Sequence, residues 1–288
     1  LQHPVARNKI AFFFFMILLI ASSPDSADAD STMKVKQGGI AHLSISPGPS
    51  VDSVSGEYRG QVIPFFETEN GTYTALVGID FAQKKGTQSF VVTWTQAEKK
   101  GRQDFKLEID SAAFGVQKLT LPKGKVDLDP PTLARVNKEQ ALVKSAFAHS
   151  QNKKLWQGAF IVPVEGTKQG TFGRRRIING QARNAHTGED ISAVEGTPIM
   201  ATNHGRVALV GDFFFNGKSV IIDHGLGLFS MYFHLLDVAV AEGDSVKRAD
   251  VIGRVGQTGR VTGPHLHWGM RLNEARIDPF ALVAKKLD

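Results

Sequence analysis

His265-Leu266-His267-Trp268-Gly269-Met270-Arg271 reads as a β-strand bounded by the turn residues Gly263-Pro264. Strand side chains alternate with a period of two, so His265 and His267 share one face. Working outward, residues 160–164, 205–210, 219–223, 228–234 and 251–255 read as further strands, and glycine becomes frequent from Trp156 onward. No long helical period interrupts them until the last residues, which implies an antiparallel β domain. Gly211 to Ser219 imitates a phosphate loop, but five residues rather than four separate Gly211 from Gly217 and phenylalanines fill the gap. A hairpin tip is the better reading.

Upstream, residues 33–121 break into short alternating segments, among them 61–66, 73–79, 90–94, 105–109 and 116–121. Asn70-Gly71 lies between two of them, a hairpin signal because both residues tolerate positive φ; the sequon reading of Asn70-Gly71-Thr72 is the weaker one. The spacing suggests an immunoglobulin-like β-sandwich without its disulfide. Asp129-Pro130-Pro131 ends that pattern. Residues 132–147 carry Leu133, Val136, Ala141, Leu142 and Phe147 at helical spacing, a connecting amphipathic helix packed on a domain. The expected organisation is mainly β: a signal peptide at 1–29, a sandwich at 30–125, a helical linker at 126–157 and the antiparallel domain at 158–288.

The signal peptide rests on Arg7 and Lys9 ahead of an apolar run over residues 10–21 and an Ala27-Asp28-Ala29 exit. The run is short of the roughly 20 residues that span a bilayer, so no stable membrane anchor is expected after cleavage, and the protein is exported to the periplasm, the envelope or the outside. Its removal takes two bases and two acids, Asp25 and Asp28, leaving the net charge at +6. Such basicity favours anionic polymers, or merely solubility. No aromatic-basic motif supports nucleic acid as a partner. The 288 residues contain no cysteine, which excludes disulfides, thiolate metal sites and cysteine nucleophiles; any metal is held by histidines and carboxylates.

Six of the nine histidines fall between 186 and 267. His186 and Asp190 share a face if their segment is extended, and Gly188 between them leaves room for close approach. Two imidazoles and a carboxylate fill three corners of a tetrahedral zinc site and leave the fourth for water, the composition of a catalytic site. Zinc lowers the pKa of such a water to about 7 and polarises a carbonyl. Ser230, Tyr232 and His234 are expected on one strand face, opposite Phe229, Met231 and Phe233. His224 reads as structural and His204 as solvent-facing.

The ordered series His186-Thr187-Gly188-Glu189-Asp190, Gly196-Thr197-Pro198, Asp223-His224-Gly225, Tyr232-Phe233-His234-Leu235 and Thr262-Gly263-Pro264-His265-Leu266-His267 resembles the lysostaphin-type, or LytM-like, zinc endopeptidases of peptidoglycan. The likeness covers roughly residues 160–280. It implies a LytM-type peptidase fold there, one zinc ion held by His186, Asp190 and His267, and a catalytic pair, His234 and His265. One of the pair takes the proton of the attacking water while the other stabilises the oxyanion or protonates the leaving amine, a division the sequence leaves open. Glu189 departs from the apolar residue common there and points away from the metal in an extended segment; a swap of Glu189 for Asp190 as ligand stays open. Arg174-Arg175-Arg176 admits two readings, a solvated turn or a cationic cleft wall. The expected function is a secreted zinc metalloendopeptidase with peptidoglycan as partner. The rivals are a silent wall-binding scaffold of the same fold, which a filled ligand set disfavours, and a general secreted protease.

Overall fold

The alternation upstream of residue 121 becomes two sheets around one core. The computed structural model describes residues 32–283, 285 and 287; the expected signal peptide lies outside them. The strands run β1 (Thr32–Lys36), β2 (Ile40–Ile45), β3 (Ser53–Tyr58), β4 (Gln61–Pro64), β5 (Phe66–Glu67), β6 (Tyr73–Gly78), β7 (Gly86–Gln96), β8 (Lys99–Asp110) and β9 (Val116–Leu119). One sheet has the order β1-β8-β7-β3-β4 and the other β2-β6-β5. In β8, Phe105, Leu107 and Ile109 point inward while Lys106 and Glu108 point out, the period-two pattern of a half-buried strand. They meet Leu43, Ala75, Val77, Phe90 and Val92 in a shared core. The two sheets pack face to face on this core. The Asn70-Gly71 hairpin is present, with Gly71 N–H donating to Thr68 O at 3.0 Å and Gly71 at φ 71°. The longer β7–β8 hairpin turns on Ala97-Glu98, whose φ values of 44° and 66° put two unfavoured residues in the left-handed region.

Helix α1 (Pro130–Phe147) starts two residues earlier than the periodicity suggested, because Asp129 caps it, accepting from Thr132 N–H at 2.9 Å, and prolines fit the first turn. Its Val143 and Phe147 pack against Phe229, Met231 and Phe233, while Leu133 and Leu142 stay exposed. No described helix is long and apolar enough to cross a membrane.

The remaining strands are β10 (Thr167–Lys168), β11 (Arg175–Ile178), β12 (Gln181–Arg183), β13 (Gly188–Ser192), β14 (Pro198–Met200), β15 (Gly205–Phe213), β16 (Gly217–Gly225), β17 (Leu228–Val238), β18 (Ser245–Val246), β19 (Val251–Val255), β20 (Leu266–Leu272) and β21 (Ala275–Ile277), followed by the short helix α2 (Pro279–Val283). The large sheet has the order β10-β13-β20-β17-β16-β15-β18, with β19 bridging β17 and β14 and with β21 on β20. Every pairing in it is antiparallel, as expected. One face carries Val220, Ile222, Tyr232, Leu266, Trp268 and Met270; the other carries Ile221, Phe229, Met231 and Phe233 beneath α1. Residues 160–164, expected as a strand, form none. Pro163 has no N–H to give a ladder, and the segment is held by separate bonds, Ile161 N–H to Thr202 O at 3.0 Å and Met200 N–H to Pro163 O at 2.7 Å.

Several contacts tie the early strands to the late ones. Arg276 binds Asp80 through its backbone N–H and Nε, each at 3.0 Å, and Asn273 Nδ2 donates to Leu76 O at 3.0 Å. β9 also leaves the sandwich to pair in parallel with β11, which brings residues 116–119 beside 175–178.

His224 is fully buried, with Nδ1 2.7 Å from the His204 carbonyl and Nε2 2.8 Å from Ser230 Oγ. Burial, opposed by the bond to that carbonyl, pushes its pKa down to about 4. The unfolded chain takes up this proton near 6.5, so the contribution to stability is complete above that pH, is lost as pH falls toward 4, and is flat below. The loss is on the order of 3 kcal/mol. Urea unfolding between pH 7 and pH 4.5 is expected to show a shallower decline in His224→Gln than in the wild type; equal slopes would disprove the assignment.

Candidate metal centre

Register builds the centre. In β13, β20 and β17, Asp190 lies opposite His267, and His267 opposite Phe233. Directly opposed residues share a sheet face, so the three side chains project to the same side. His267 stacks on the Phe233 ring, centroids 5.4 Å apart. His186 enters from the loop before β13, where its N–H donates to Arg174 O and its carbonyl accepts from Gly173 N–H, both at 2.9 Å.

The donor atoms converge. His186 Nε2 lies 2.7 Å from His267 Nδ1 and 3.1 Å from Asp190 Oδ1, and His267 Nδ1 lies 3.0 Å from Asp190 Oδ1. Bonds of about 2.0–2.1 Å in a tetrahedral zinc site separate the ligand atoms by roughly 3.3 Å, so this triangle needs to open by a few tenths of an ångström to take an ion. The residues present therefore fit one metal ion with nitrogen and oxygen ligands. A Cβ on Gly188 would sit 2.6 Å from His267 Nε2 and 2.7 Å from the Trp268 carbonyl, so glycine is what lets the two segments close on each other. Burial pushes His186 down to about 3, and its Nδ1 is buried without a partner among the described residues. For Asp190 burial acts upward, but the hydrogen bonds to His186 and His267 prevail and hold it well below the usual carboxylate range.

His234 reaches this face by a route the alternation did not foresee. Between Tyr232 and Leu235 the register of β17 against β16 slips by one, and His234 stands at φ 69°. Two residues, Phe233 and His234, thus oppose one, a bulge that re-aims a side chain. The expected shared face of His234 with Ser230 and Tyr232 is corrected accordingly. Tyr232 packs in the inner core, Ser230 bonds His224, and His234 turns to the His267 side, its ring centroid 6.1 Å from His267 and 4.9 Å from His265. His234 Nδ1 donates to Thr258 O and His265 Nδ1 to Gly263 O, each at 2.9 Å. Carbonyls only accept, so both rings keep the Nδ1–H tautomer and turn an Nε2 lone pair outward. His265 Nε2 lies 3.7 Å from Asp190 Oδ1. Burial, then the neighbouring His265 and His267, push His234 well below its ordinary pKa.

The five residues singled out in the sequence line one groove of about 160 Å3. Glu189 points to the opposite face, where it accepts from Thr171 N–H at 2.9 Å and Phe172 N–H at 3.4 Å. His204 is half-buried against Asn203 rather than solvent-facing. The groove also contains residues the sequence did not assign: Gln117 and Leu119 from β9, and Arg260. Only Arg176 carried a signal, as part of the arginine run.

Residues 184–279 match the profile of Peptidase family M23. DD-carboxypeptidase/endopeptidase Mpg of Neisseria meningitidis serogroup B is 41% identical over 98 residues, 34% of this chain and 23% of that protein. Peptidoglycan DD-endopeptidase ShyC of Vibrio cholerae is 37% identical over 135 residues, 46% of this chain and 31% of that protein. The chain thus spans less than a third of the length of these relatives. A solved structure from Pseudomonas aeruginosa, of proposed peptidase M23 identity, is 32% identical, covers 86% of this chain and 94% of its own, and superposes with a TM-score of 0.67.

Gly188→Ala is expected to weaken zinc binding by at least about tenfold, the scale of disturbed ligand support, measured by competition with a chromogenic chelator. Unchanged affinity in a folded variant would remove Gly188 from the centre.

Proposed function

Since the chain belongs to peptidase family M23, we propose that it is a zinc metalloendopeptidase that hydrolyses peptide bonds in the stem peptides or cross-bridges of peptidoglycan. The observation that carries this reading is the meeting of His186 Nε2, Asp190 Oδ1 and His267 Nδ1 beside two further imidazoles in one groove. His186, Asp190 and His267 would hold one zinc ion. When bound, zinc supplies Lewis acidity, which makes water nucleophilic at neutral pH and polarises the carbonyl to be attacked. His234 and His265 are the catalytic pair. One accepts the proton of the attacking water at Nε2 and a C–O bond forms at the carbonyl carbon; the C–N bond breaks as the leaving nitrogen takes up that proton, returned by the same ring, while the other ring, once protonated at Nε2, stabilises the oxyanion. The Nδ1 bonds to Thr258 and Gly263 fix which nitrogen does this work.

In the same proposal residues 1–29 are a secretory signal, the mature protein acts in the periplasm or cell envelope, and residues 158–288 are the peptidase domain. Residues 30–125 form an immunoglobulin-like sandwich that positions substrate, joined by a linker at 126–157; the five-plus-three arrangement of packed strands supports the sandwich.

Zinc-loaded protein is expected to release soluble muropeptides from isolated sacculi, a chelator to stop this, and added zinc to restore it. His267→Ala is expected to lose both zinc and cleavage. His234→Ala and His265→Ala are expected to keep zinc and lose about 10²–10⁴ in kcat. Sacculi left unchanged on chromatography, while a control lytic enzyme works, would refute the reading.

A further inference from the structure

Two guanidinium groups reach the groove beside the metal ligands. Arg176 comes from β11, its Nε donating to Gln117 Oε1 at 3.1 Å and its Nη2 3.9 Å from Asp190 Oδ2. Arg260 comes from the loop before β20. It lies over the Phe215 ring, 4.0 Å from the centroid, and its Nη1 donates to Lys125 O at 3.3 Å. None of its other side-chain donors has a hydrogen-bond partner among the described residues.

The acids nearby are already engaged. Asp190 Oδ1 meets the histidines, and Asp127 lies 3.8 Å from Arg183. Positive charges are crowded here: burial first, and then Arg176 and Arg183, lower Arg260 to about 10. A guanidinium held by a ring and a single carbonyl, with like charges around it, is placed to accept an anion. Its planar fork matches a carboxylate through two parallel hydrogen bonds.

We propose that Arg176 and Arg260 form a carboxylate subsite of the groove, so that the protein selects peptide substrates bearing a free carboxylate beside the bond that is cut. This rests on the peptidase reading above. The alternative, that Arg176 only steadies Asp190 and Arg260 only pins its loop to Lys125, gives no discrimination between a carboxylate and its amide. The variant belongs at Arg260, because Arg176 touches a proposed metal ligand.

The test uses three synthetic cross-linked stem peptides: one with all carboxylates free, one with only the C-terminal carboxylate amidated, and one with all carboxylates amidated. Each is titrated calorimetrically into the full chain, wild type and Arg260→Gln, both zinc-loaded and chelator-stripped. Cleavage is followed in the zinc-loaded protein. Stripping prevents the ion itself from holding the carboxylate. The wild type is expected to bind the free acid at least about tenfold more tightly than the full amide, the scale of charge-assisted hydrogen bonding. Arg260→Gln is expected to bring that ratio toward one. The singly amidated peptide then tells a terminal carboxylate from an internal one.

Equal binding of acid and amide by the stripped wild type overturns the subsite, as does a ratio unchanged in a folded Arg260→Gln. If that variant does not fold, the wild-type ratio decides alone, and it must fall as salt rises. Preferential binding without cleavage of any peptide refutes the peptidase reading and leaves the subsite standing. Cleavage without acid preference does the reverse.

Discussion

The pairing of Asp190 with His267 across β13 and β20 is the constraint on which the centre depends. Strand side chains repeat every two residues, so a slip of one would exchange faces throughout. Glu189 and Trp268 would then confront the groove, and Asp190 and His267 would enter the apolar core around Tyr232 and Met270. A charged carboxylate buried there without partners would be costly. The core therefore selects which side chains meet at the centre: the register that buries Trp268, Leu266 and Met270 is the one that presents Asp190 and His267 together. The bulge at His234 departs from that alternation in β17, and it adds a further imidazole to a face that already holds His267.

Support comes from behind as well. Glu189 accepts from the backbone of Thr171 and Phe172, while Asp190 N–H donates to Thr171 Oγ1 at 2.9 Å. A buried N–H left without an acceptor costs about 1–3 kcal/mol, so the turn at 171–174 is tied to the strand that carries Asp190. Arg174 O, at the end of that turn, receives the His186 N–H. Phe172 in turn packs edge-on against Phe81 and Phe114, centroids 5.8 and 5.6 Å away. Gly38 and Gly173 leave no room for a side chain beside these rings. The sandwich thus braces the loop that fixes His186.

The parts legible in the sequence were those governed by local periodicity or by donor chemistry. The alternation in β8, the turn at Asn70-Gly71 and the spacing of the histidines each have a local cause. What was not legible came from contacts between distant segments. Ala97-Glu98 turns at positive φ because the strands on either side impose it, against the preference of both residues. Residues 160–164 look like a strand by hydrophobicity, yet Pro163 has no N–H to give, and the segment is held instead by separate bonds to Met200 and Thr202. The pairing of β9 with β11 joins segments that no short-range pattern connects, and it is what brings Gln117 and Leu119 to the groove. Glu189 looked like a departure without purpose, since its partners lie on a turn that the sequence did not define.

The groove separates permanent charge from movable protons. His186 and His234 are held neutral by burial, and His234 also by its imidazole neighbours. A proton added to His186 would also meet the charge of Arg176, which further disfavours it. Fixed positive charge resides on guanidinium groups that do not titrate in the working range. Basic nitrogen resides on the Nε2 atoms of rings oriented by backbone carbonyls. A site arranged in this way keeps its attraction for an anionic group independent of the protonation that a hydrolytic step requires, so binding and proton transfer need not compete for the same side chains.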